Sequence, residues 1–175
     1  MWLNLGGSYF DTDKFALALG KTLVLAANFE ANCKFVATSR MLDTRRSEEF
    51  PGIFGDMQFE ELDKYFKSFR PLGREVQELQ AVTPEQIEVL KKGVAARNYI
   101  AHQAGLAIVR SVELEDIRDY SREITHLINC AEDIAKADNI VAQWSCSIIM
   151  SRDPGANIKK PRNYVRRCVG WVSNS

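Results

Sequence analysis

The amino-acid sequence predicts an all-α protein, a bundle of four to five helices that ends in a basic C-terminal tail. Apolar residues recur at three- and four-residue spacings over long segments, and helix start signals stand at the heads of those segments. No stretch alternates apolar and polar residues over strand length, and no internal repeat is present. With 175 residues and 46% hydrophobic content there is material for one core, not for two full domains. The expected organisation is a bundle over residues 1–150 and a tail over 151–175, docked or mobile.

Asp11 or Thr12 can cap the first helix. Phe15, Leu19, Leu23, Ala26 and Phe29 keep helical spacing, which carries the helix to about Thr38. From Asp43 to Gly55 the composition turns polar and is punctuated by Pro51, Gly52 and Gly55, which predicts a loop. A shorter helix is expected over 58–69. Pro71 and Gly73 break it, and 74–80 add a turn or two.

The clearest start signal is Thr83-Pro84-Glu85-Gln86: a capping threonine, a proline at the first helical position and a glutamine placed to close a capping box. That helix is expected from Pro84 to about Gly105, with Ile87, Leu90, Val94 and Ala101 as its apolar stripe. Ser111 can cap the next helix, whose stripe runs through Leu114, Ile117, Ile124, Leu127, Ile128, Ala131 and Ile134 and continues less cleanly to Trp144. Arg152-Asp153-Pro154-Gly155 is a turn signal that opens the tail, where Tyr164, Val165, Val169 and Trp171 form a small apolar set. Trp2, Tyr9 and Phe10 are expected to pack on the bundle.

Lysine plus arginine and aspartate plus glutamate total 23 each, so no global field draws in a polyanion and any such ligand must be bound locally. The tail holds Arg152, Lys159, Lys160, Arg162, Arg166 and Arg167 against Asp153, a local charge of +5. Four scattered cysteines without a C-x-x-C pair suggest neither a zinc knuckle nor a disulfide framework, so a reducing cytoplasm and no metal are expected. The apolar run from Phe15 to Phe29 is broken by Lys21 and too short to span a bilayer, and the acidic start does not resemble a signal peptide.

The chemistry concentrates in Ala95-Ala96-Arg97-Asn98-Tyr99-Ile100-Ala101-His102. On a helical wheel Arg97 falls inside the apolar stripe, while Asn98 and His102 lie one turn apart at its edge with Lys91 above them. A guanidinium there must meet a carboxylate or open to a wet crevice, because an isolated buried charge costs several kcal/mol or more. Glu30 is one candidate partner. A histidine near its ordinary pKa of about 6.5 can take the proton of a ribose 2′-hydroxyl. The planar arginine fork suits two non-bridging phosphate oxygens. Gly93, Ala95, Ala96, Ala101 and Ala104 are small enough to let a neighbour approach closely.

Arg97-Asn98-x-x-x-His102 on the third helix of a small bundle resembles the Arg-x4-His signature of the HEPN family, whose polar residue after the arginine is matched by Asn98. The resemblance covers about residues 12–150, and the motif alone is specific. It implies a HEPN-like all-α bundle and a homodimer with a composite active site. It also implies endoribonuclease activity without metal or cofactor, leaving a 2′,3′-cyclic phosphate. Many members serve as toxins or in anti-phage defence, which implies an antitoxin or defence partner protein. Some are silenced by adenylylation of a tyrosine two residues after the histidine. This chain has Ala104 there, so that control and its nucleotidyltransferase are not expected.

On this reading Arg97, His102 and Asn98 are catalytic, and Lys91, Tyr99, Arg162, Arg166 and Arg167 bind RNA, with Tyr164 and Trp171 available for stacking. Two alternatives stand beside it. One is a non-catalytic HEPN module that binds RNA, nucleotide or a protein partner. The other is a plain helical interaction domain in which Arg97 only pairs with a carboxylate. His126 has Arg122 one turn before it, a pair that reads as solvated surface.

Overall fold

A computed structural model describes residues 12–49, 83–106, 117–158 and 161–174. They include four helices whose bounds are described: α1 (Thr12–Glu49), α2 (Pro84–His102), α3 (Ile117–Arg152) and α4 (Tyr164–Ser173). No strand occurs among the described residues, and the architecture is an all-α bundle. The helix expected over 58–69, the turns over 74–80, the cap at Ser111 and the aromatic residues Trp2, Tyr9 and Phe10 lie outside the described residues.

Helix α3 is the hub, packing against α1, α2 and α4, and α4 also rests on α1. Phe15, Ala18, Leu25, Phe29, Cys33 and Val36 of α1 face Leu127, Ala131, Ile134, Ala135 and Val141 of α3 across the core, all of them buried. The phenyl ring of Phe15 and the ring of Tyr120 sit 6.4 Å apart, tilted, at one end of this contact. Burial of the larger of these, the phenylalanine, leucine, isoleucine and valine side chains, contributes roughly 1.5–3 kcal/mol each.

Helix α1 is longer than its apolar pattern. Asp43–Glu49, expected as loop, is helical. The segment holds arginines and glutamates that favour helix and contains neither glycine nor proline until Pro51, whose ring disfavours helical geometry in the residue before it.

Helix α2 begins as its sequence dictates. Thr83 Oγ1 accepts from the Gln86 amide at 3.3 Å, and Gln86 Oε1 accepts from the Thr83 amide at 3.2 Å, closing the capping box with Pro84 behind it. Its buried line differs from the expected stripe: Leu90, Gly93, Ala96 and Ile100 are buried, whereas Ile87 is 38% exposed and Ala101 is exposed. Gly93 is the cause. A Cβ on it would lie 2.3 Å from the Ala137 Cβ of α3, so the helices meet on their smallest residues and the larger Ile87 is turned outward.

The tail is docked. Asn163 takes the left-handed conformation at φ 55°, which asparagine tolerates, and launches α4. Cys168 and Val172 are buried against the bundle, and Lys21 of α1 donates to the Trp171 carbonyl at 2.7 Å. Among the described residues no helix is long and apolar enough to cross a membrane.

Candidate functional site

The site is built on the last two turns of α2. Arg97 lies in line with the small buried residues, and its side chain, 20% exposed, turns to α1. Its Nε and Nη2 both donate to Glu30 Oε2, at 3.2 and 2.6 Å, and its Nη1 donates to Asn98 Oδ1 at 3.2 Å. The other Glu30 oxygen receives Lys34 Nζ at 3.1 Å. Burial works to raise the Glu30 pKa, but the hydrogen bonds and charges of Arg97 and Lys34 outweigh it and hold the carboxyl below its ordinary value.

Three of the five guanidinium donors are thus engaged, which fixes the plane of the group and leaves two N–H bonds for another acceptor. Asn98 is exposed, with its oxygen committed to Arg97 and its amide nitrogen turned elsewhere. His102 is exposed in the final turn of α2, one turn beyond Asn98, and Lys91 is exposed on the turns above.

Tyr99 is separated from these residues. It turns towards α3, where its hydroxyl donates a short hydrogen bond to Glu123 Oε2 and its ring meets the His126 ring edge-on at 4.3 Å. Burial, then the bond to Glu123, pushes its pKa well above that of a free phenol, so it stays a protonated donor. Arg162, Arg166 and Arg167 are exposed around α4, and no carboxylate among the described residues lies in ion-pair range of them. Tyr164, a stacking candidate by sequence, is half-buried and donates its hydroxyl to Asp138 of α3; Trp171 is 45% exposed.

Asp138 was not singled out from the sequence, although it stands seven residues after Ala131 and four after Ile134, in line with the apolar stripe of α3. It is 2% exposed, and its carboxylate accepts from Asn32 Nδ2 at 2.8 Å, Asn28 Nδ2 at 2.9 Å and Tyr164. An aspartate in an alanine-rich segment, with asparagines four residues apart on another helix, is the sequence trace it leaves. Among the described residues no group of histidine, cysteine and carboxylate side chains is arranged to hold a metal ion, and none of the four cysteines is in a disulfide.

Comparison with known proteins found no family model, no curated relative and no solved structure that matches this chain.

Proposed function

We propose that the chain is a HEPN-type, metal-independent endoribonuclease, a toxin or anti-phage effector held in check by a partner protein. The observation that carries this reading is the guanidinium of Arg97, pinned by Glu30 and Asn98, on a helix whose next turn presents an exposed His102.

In this reaction His102 takes the proton of the ribose 2′-hydroxyl, the 2′-oxygen attacks phosphorus, and the bond to the 5′-oxygen breaks, that oxygen taking a proton from solvent, to leave a 2′,3′-cyclic phosphate and a 5′-hydroxyl. The two remaining donors of Arg97 hold the non-bridging oxygens as charge grows on them. Asn98 directs its amide to substrate or to His102. Lys91, Arg162, Arg166 and Arg167 supply phosphate contacts along the strand. The outward face of α2, with Ile87, Ala95 and Ala101 exposed beside Asn98 and His102, suits a second copy whose motif completes the site.

The test is incubation of the protein with mixed single-stranded RNA in EDTA, with His102→Ala and Arg97→Ala alongside. Cyclic phosphate ends made by the unmodified protein and lost in both variants are the expected result. The Glu30 pair also favours a second reading, a plain helical interaction domain in which Arg97 only pairs with a carboxylate. That reading predicts no cleavage from any form and an Arg97→Ala variant that chiefly loses stability.

A further inference from the structure

The sequence did not single out Lys34, and the ribonuclease reading leaves it without a part. It pairs with Glu30 across one turn of α1, the same spacing that joins Glu132 and Lys136 on α3. The two pairs stand in different surroundings. Lys136 and Glu132 are 47% and 43% exposed, as surface pairs are, whereas Lys34 and Glu30 are 18% and 23% exposed at the contact of α1 with Arg97 of α2. A lysine ammonium is strongly hydrated and leaves water reluctantly. Steadying Glu30 does not account for its being drawn in, because Arg97 already gives that carboxylate two hydrogen bonds.

The charges at this contact do not balance. Arg97 and Lys34 bring two positive charges to the single negative charge of Glu30, and no other carboxylate among the described residues lies in ion-pair range of either cation. The donors do not balance either. The ammonium has three N–H bonds and spends one on Glu30 Oε1 at 3.1 Å, and the guanidinium has five and spends three, on Glu30 and Asn98. Two charged N–H bonds on each cation, one cation from α1 and one from α2, are left for an acceptor.

An anion with two oxygens on one centre answers both deficits. A phosphodiester carries one negative charge and two non-bridging oxygens, so it cancels the surplus and offers an oxygen to each cation. The arginine fork supplies direction, and the lysine supplies a point charge from the other helix. Both are set in place before a ligand arrives, which lowers the ordering cost of binding.

We propose that Lys34 is a phosphate-binding residue of this site, and that it and Arg97 clamp one RNA phosphodiester from α1 and α2 while Glu30 holds both cations in place. The clamp rests on the RNA reading of the Arg97 site, to which it adds a second cation and a second helix.

The probe is a fully 2′-O-methylated oligoribonucleotide, which has phosphodiesters but no 2′-hydroxyl to attack. Its binding is followed by the fluorescence anisotropy of a terminal dye over a series of salt concentrations. Lys34→Ala should weaken binding about tenfold and lower the slope of log affinity against log salt by about 1, the signature of one lost phosphate contact. Lys34→Arg should restore both, and Lys136→Ala, the surface counterpart, should change neither. Lys34→Ala should unfold within a few degrees of the unmodified protein, since Arg97 retains Glu30. Unchanged affinity and slope in Lys34→Ala, with binding weakened in Arg97→Ala, would overturn the clamp and leave the Arg97 site standing. Unchanged binding in both variants, or none by any form, would overturn the clamp and the RNA reading together. Weakened binding in both, from a protein that makes no cyclic phosphate ends on unmodified RNA, would uphold the clamp and remove the ribonuclease.

Discussion

Asn28 and Asn32 reach from α1 to the carboxylate of Asp138, while Glu30, two residues out of step on the same turns and paired with Lys34, reaches the other way to meet Arg97 of α2. Both contacts take a carboxylate partly or wholly out of water. Around Asp138 the listeners are neutral amides and a phenol, and the group is 2% exposed. Around Glu30 they are cations, and side chains of 20% and 23% exposure let water share the work. A dry carboxylate with only neutral donors has no substitute for any of them, because each loss leaves a buried polar group unmet. A half-wet ion pair can loosen and re-form with another anion at modest cost. The first contact fixes the fold, and the second is the kind of pairing a phosphate can enter.

The contrast is sharpest in Asp138→Ala, which strands Asn28, Asn32 and Tyr164 and should lower stability by about 3 kcal/mol or more in urea unfolding. Asp138→Asn should also destabilise strongly, since it turns an amide donor towards donors. Arg97→Ala should cost about 1–2 kcal/mol, with a coupling of about 1 kcal/mol to Glu30→Gln in a double-mutant cycle. An Arg97→Ala loss as large as that of Asp138→Ala would erase the distinction between the two contacts. Tyr164→Phe, which removes one of three donors, should cost about 1 kcal/mol.

The smallest effect is the acid response of Glu30. Its folded pKa lies below the unfolded one, so the pair's stabilisation is fully present above the ordinary carboxylate value and is lost as pH falls through the folded one. Between about pH 5 and pH 3 the unmodified protein should lose more stability than Glu30→Gln, measured by unfolding at each pH. Parallel curves would show that Arg97 does not depend on the Glu30 charge.

Much of this was legible in the chain. Thr83, Pro84 and Gln86 announce α2 by local chemistry that tertiary packing leaves intact, and Arg97 advertises its need for a partner by interrupting an apolar line, which made Glu30 a candidate. Residues whose role is to be small or to be paired left a fainter trace. Gly93 has no hydropathy to contribute, yet it sets where α2 touches α3 and so which residues face out. Asp138 interrupts the apolar stripe of α3 much as Arg97 does that of α2, but periodicity cannot see Asn28, Asn32 and Tyr164 converging on it from elsewhere in the chain. Tyr99 and His126 were readable one helix at a time, but their meeting across α2 and α3 was not.

Tyr164 opens the helix that leaves the ribosome after all those it packs on. Until it arrives, Asp138 has two of its three partners, and Cys168 and Val172 are not yet packed on the bundle. Synthesis therefore first delivers a nascent bundle whose polar centre is still unfinished, and its closure waits on the docking of a single short helix. A ribosome stalled, or a chain cut, before this helix would release a species whose central carboxylate lacks one of its three donors.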